Sequence, residues 1–150
     1  MIKDFMESDH DRLDGIFKNF RESKNKHVEG KKFFKEFKIG LQRHIVWEED
    51  ILFKIFENHT GMHESGPTEV MRMEHRQIKE FLEKIHNNIR DEKSGFEVLE
   101  RGLLDILTEH NNKEETILYP EINDMLSEEE QKKTIEEMKK LSPERYEKCC

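Results

Sequence analysis

A ten-residue string occurs twice in this chain, as HIVWEEDILF at 44–53 and as HNNKEETILY at 110–119, sharing a histidine, two glutamates, Ile-Leu and a closing aromatic. A weaker echo links SDHDRLD around His10 to MEHRQIK around His75. The offsets are 66 and 65 residues, so one structural unit is used twice. Around each copy the inward-type residues recur every three or four positions, the period of an amphipathic helix. One stripe reads Phe34, Phe37, Leu41, His44, Glu48, Ile51, Ile55, and its counterpart reads Phe96, Leu99, Leu103, Ile106, His110, Glu114, Ile117. Two further stripes are Met6, His10, Leu13, Phe17, Phe20 and, after a Gly66-Pro67 helix start, Met71, His75, Ile78, Leu82, Ile85, Ile89.

Four long helices are therefore expected, near 3–22, 30–58, 67–89 and from about Gly95, with turns at 23–30, 58–66 and 91–95. Short connections make sequential helices antiparallel neighbours. The expected fold is all-α: an up-down antiparallel four-helix bundle of two repeated hairpins, occupying residues 1–126. A short additional C-terminal helix, capped by Ser127 with Glu130 and ending near Leu141, begins a second segment, 127–150, packed on the bundle or trailing from it. Pro120 is expected to kink or stop the fourth helix just beyond Tyr119.

Composition agrees. Charged residues make up 40% of the chain and hydrophobic ones 33%, with only 7 glycines and 3 prolines to build turns. The net charge of −8 and the lack of a basic stripe argue against a nucleic-acid partner. The opening MIKDFMESDH is no signal peptide, and no apolar run nears the ~20 residues of a membrane span, so a cytoplasmic protein without a membrane partner is expected. The two cysteines, Cys149 and Cys150, are adjacent and make no disulfide framework.

His10, His44, Glu48, His75, His110 and Glu114 stand where periodicity places the interior. His10 and His44 are centred on the first turn, His75 and His110 on the third, and His44 and His75 on the middle loop. Each histidine lies about 17 residues, roughly 25 Å, from its hairpin turn, so all four helices present one at a common level. Glu48 and Glu114 follow their histidines by one turn on the same face. Burying one unpartnered polar group costs about 2–7 kcal/mol, and six would exceed the roughly 5–15 kcal/mol that holds a domain together. They must satisfy one another or bind metal. Four imidazoles and two carboxylates are too many for one tetrahedral zinc and suit two ions bridged by the glutamates. Glu49 and Glu115, about 100° off the inward face, read as solvated groups or as groups that orient a histidine. His27, His59, His63 and His86 fall away from this level, and Trp47 and Tyr119 read as packing residues.

On those residues the chain resembles the hemerythrin-like (HHE cation-binding) family over residues 1 to about 126. The family pattern is a histidine on the first helix, H-x-x-x-E on the second, a histidine on the third and H-x-x-x-E on the fourth. GPTEVMRMEH (66–75) and EHNNKEETILYP (109–120) look most like the branch containing the di-iron iron–sulfur-cluster repair proteins. The resemblance implies two iron ions, bridged by carboxylate and by an oxo or hydroxo group, in preference to zinc or manganese. Their ligands would be His10, His44, Glu48, His75, His110 and Glu114. Oxygen-carrying hemerythrins have another third-helix histidine where Met71 stands, which leaves one iron a ligand short or supplied by Glu49, Glu74, a loop histidine or water. Repair proteins carry cysteines ahead of the first helix, a segment with no counterpart here.

The expected function is a di-iron protein that binds or reacts with a small diatomic or peroxide ligand (oxygen, NO or peroxide), or that handles iron. The alternatives are an enzyme of the peroxidase, NO-reducing or cluster-repair type, and a metal-free helical interaction module.

Overall fold

The apolar stripes become five helical rods. The computed structural model describes residues 1–23, 26–93 and 95–147; Cys149, Cys150 and the side chain of His27 lie outside the described residues. Helix α1 (Ile2–Ser23) is followed by α2 (His27–Trp47), which runs through a π-helical turn (Glu48–Leu52) into α3 (Phe53–Thr60). Then come α4 (Pro67–Arg90), α5 (Glu97–Lys113), a second π turn (Glu114–Leu118), α6 (Tyr119–Met125) and α7 (Glu128–Lys139). There is no strand among the described residues. No helix among them is long and apolar enough to cross a membrane.

Neighbouring rods run in opposite directions. Phe20 meets Phe34 and Phe17 meets Phe37 at ring-centroid distances of 5.3 and 4.6 Å, while Asp9 bonds His44. The same antiparallel order relates α1 to α5–α6 (His10 to Glu115, Ile2 to Asn123), α4 to α2–α3 (Glu83 to Lys38, Thr68 to Glu57) and α4 to α5 (Glu74 to His110). Two apolar clusters fill the space between. One gathers Phe17, Phe20, Phe34, Phe37, Leu82 and Leu103, and the other gathers Ile2, Met6, Trp47, Phe53, Met71 and Tyr119. The polar level anticipated from the spacing lies between them.

The rod ends follow local chemistry. Gly61 closes α3 at φ 74°, a left-handed conformation that costs glycine little. Ser127 and Glu130 form the reciprocal capping box of α7. That helix packs on the rest: Met138 is buried, and its carbonyl accepts from Trp47 Nε1 at 2.8 Å.

Two expectations need correction. The second and fourth rods are not uniform α-helices, because each contains a π turn beginning at its glutamate, Glu48 or Glu114. Pro120 does not stop the fourth rod at Tyr119, since helix continues to Met125. The Tyr119 N–H reaches back to Glu114 O, and the widened turn accommodates the next residue without an N–H.

Gly102 marks the close approach of α4 and α5. A Cβ there would lie 2.6 Å from the Phe81 ring. Gly102→Ala improves helix propensity by about 1 kcal/mol, yet a net loss of about 1–3 kcal/mol is expected from the clash. A lowered urea midpoint checks this, whereas an unchanged midpoint means the ring moves aside freely.

Candidate metal centre

All six inward polar residues are buried at one level, with Glu48, His75 and Glu114 at 0% exposure. Their donor atoms converge. Glu48, His75, His110 and Glu114 each offer one atom within 4.8 Å of the others, and so do His10, His44 and Glu114. Each glutamate faces two histidines on different helices. Glu48 Oε1 lies 3.6 Å from His44 Nε2 and 3.2 Å from His75 Nε2, and Glu114 Oε1 lies 3.4 Å from His10 Nε2 and 3.2 Å from His110 Nε2.

The outward nitrogens are held by a second ring of carboxylates. Nδ1 of His10 pairs with Glu115 (3.2 Å), of His44 with Asp9 (2.8 Å), of His75 with Glu49 (2.6 Å) and of His110 with Glu74 (2.9 Å). A neutral histidine donating from Nδ1 to a carboxylate directs its Nε2 lone pair inward, the tautomer a metal requires. The arrangement has an internal two-fold relation: His10 corresponds to His75, His44 to His110, Glu48 to Glu114, Asp9 to Glu74 and Glu49 to Glu115.

The donor set fits a cation. Glu48 Oε1 and His75 Nε2 are 3.2 Å apart, yet neither has a hydrogen-bond partner, and Glu114 Oε2 is likewise unpartnered. Buried polar atoms rarely stay orphaned, and these three point into one shared space among nitrogen and carboxylate donors. Such a donor set suits imidazole- and carboxylate-binding transition metals.

Without a cation, protons take over the charge balance. Burial pushes the Glu48 carboxyl up, and the adjacent Glu114 carboxylate pushes it further. Burial opposes ionisation of Glu114 too, but His110 and the other donors around it hold it well below the usual range. Burial works against the charged forms of His10 and His110, and Glu114 overcomes it, raising each to about 9. Both lie above the ordinary 6.5. The stability they contribute to metal-free protein is therefore complete below about pH 6.5 and lost as pH rises through about 9. Each shift corresponds to about 3 kcal/mol, and the two overlap because both act on Glu114. The thermal midpoint of chelated protein is expected to fall between about pH 6 and about pH 9.5. A flat profile would show that these histidines are neutral in the metal-free fold.

The structure brings all six residues singled out by the sequence to one buried level. The sequence reading missed Asp9 and named Glu74 only as a substitute ligand, although both directly precede a repeat histidine. Glu49 and Glu74, considered as substitutes at the Met71 position, instead turn to Nδ1 atoms. Of the loop histidines, His59 bonds Ile55 O at 2.9 Å and is exposed, as is His63. His86 is half-buried elsewhere on α4.

The larger correction is Tyr119, read as a packing residue. It is buried, and its hydroxyl lies 2.9 Å from Glu48, 3.1 Å from Glu114, 3.1 Å from His44 and 3.3 Å from His10. Trp47 does serve packing, through Phe5 and α7. A cleft of about 280 Å³ between α1 and α5, lined by Asp11, Asp14, Thr108, Asn112 and Glu115, reaches His10.

A family model described as the hemerythrin HHE cation binding domain matches residues 1–122. An uncharacterised hemerythrin-like protein of Schizosaccharomyces pombe is 30% identical over 129 residues, or 86% of this chain. The chain spans 63% of the length of that relative. No solved structure matches it.

Proposed function

The chain belongs to the hemerythrin HHE cation-binding domain family, and from that premise we propose that it is a di-iron protein which binds or reacts with a small diatomic or peroxide ligand. The antiparallel rods form an up-down four-helix bundle over residues 1–126, with α7 covering one end. His10 and His44 would hold one iron, His75 and His110 the other, and Glu48 and Glu114 would bridge them. The observation that carries this reading is that each glutamate lies within 3.6 Å of histidines from both pairs.

Two adjacent irons would supply open coordination positions for a small ligand. The protein's part is to hold and exclude. Asp9, Glu49, Glu74 and Glu115 fix the four imidazoles so that their inward nitrogens need no reorganisation. The apolar clusters above and below the site would keep bulk water out. Lys113 braces Glu74 at 2.5 Å, which keeps that carboxylate charged against His110.

The test is elemental analysis of the purified protein with its visible spectrum, recorded with and without azide. About two irons per chain and an azide-sensitive charge-transfer band are expected. One equivalent of zinc, or no metal after anaerobic reconstitution with ferrous iron, would overturn the proposal and favour a metal-free helical module.

A further inference from the structure

The internal two-fold relation breaks at one buried position beside the metal-type donors. The closing aromatics of the two ten-residue strings, Phe53 and Tyr119, both turn inward against a first- or third-helix histidine. Phe53 stacks on His75 with ring centroids 5.6 Å apart and 11° between planes, and Tyr119 meets His10 at 5.7 Å and 34°. Only the second carries an oxygen.

That oxygen is crowded by atoms of the kinds that ligate metal. His10 Nε2, His44 Nε2 and one oxygen from each of Glu48 and Glu114 lie 2.9–3.3 Å from it. A phenol has one proton to give, so it cannot donate to all four. A shared cation would hold all five atoms at once. Two donors at right angles, each about 2.1 Å from an ion, stand about 3 Å apart, which is the spacing seen around Tyr119.

We propose that Tyr119 is an iron ligand: its oxygen joins His10, His44, Glu48 and Glu114 around one ion, and the ion between His75 and His110 keeps the open positions. The inference rests on the di-iron reading above. On ligation the phenol O–H bond breaks, an oxygen–iron bond forms, and the proton leaves to solvent. A bound cation reverses the preference of the buried phenol for its neutral form. The centre is then asymmetric, five protein donors on one ion against four on the other. A small exogenous ligand goes to the His75–His110 ion, where the repeat supplies the Phe53 ring in place of an oxygen.

The experiment loads the full chain anaerobically with ferrous iron, oxidises it with ferricyanide and records iron content with resonance Raman spectra. The chain has only two tyrosines, Tyr119 and Tyr146, so the source of any iron–phenolate signal is decidable. Phenolate ring modes, enhanced in a visible charge-transfer band, are expected in the wild type and in Tyr146→Phe. They should vanish in Tyr119→Phe while its iron stays near two per chain. Two irons in the wild type without phenolate modes, or modes that survive in Tyr119→Phe, overturn the proposal and leave the di-iron reading standing. Fewer than two irons in the wild type overturn that reading and this inference with it. If Tyr119→Phe fails to fold, modes present in the wild type and in Tyr146→Phe still assign the signal to Tyr119.

Discussion

Glu114→Ala is expected to strip both ions from the protein, not one. Its carboxylate belongs to both donor groups, facing His10 at 3.4 Å and His110 at 3.2 Å, with 0% of its side chain exposed. Removing it would take a ligand from each ion and leave His10 and His110, one histidine of each pair, without the carboxylate they face. Breaking a buried charged pair costs about 3–5 kcal/mol, or roughly 100- to 4000-fold in affinity. Glu49→Ala is the graded comparison, because that carboxylate touches only the outer nitrogen of His75. Loss of an outer partner typically weakens metal binding about 10–100-fold, so Glu49→Ala should still load two irons at saturating concentration. Iron content after desalting separates the variants. A Glu114→Ala protein that keeps two irons would mean the carboxylate is not a ligand to either.

Chelation of the wild type is expected to produce the largest change in stability. A ligand present at about 1,000 times its dissociation constant stabilises the native state by about 4 kcal/mol. For a chain of this size that corresponds to roughly 8–16 °C in thermal midpoint. The far-ultraviolet helix signal should change little, because two apolar clusters on either side of the site persist without metal. The midpoint alone should drop and then recover on anaerobic return of ferrous iron. An unchanged midpoint after complete removal would mean that the polar level satisfies itself, as the metal-free reading requires.

Much of this was legible in one dimension. An α-helix repeats every 3.6 residues whatever surrounds it, so residues spaced by three and four share a face before any partner is known. His44 with Glu48, and His110 with Glu114, are inward pairs for that reason alone. The common level of the four histidines is also arithmetic, because helices joined by short turns place residues equidistant from the turn side by side. The capping box at Ser127 is local chemistry and appears where the residues are.

What the chain could not announce is where the helix stops being α. Tyr119 lies nine residues after His110, and at about 100° per residue that is the opposite face of the rod. The π turn at Glu114–Leu118 spends an extra residue and swings the phenol back to the centre, as its twin at Glu48–Leu52 does for Phe53. Neither string contains a glycine or proline inside the turn to mark it. The choice of partners is tertiary as well. Asp9 is adjacent to His10 but bonds His44, and Glu49 is adjacent to Glu48 but bonds His75. Sequence alone determined the helices, their pairing and the six converging residues, because backbone periodicity and short turns act locally. Packing between helices decided which carboxylate orients which histidine and that a tyrosine oxygen sits among them, because those contacts join histidines to residues from 26 to 109 positions away.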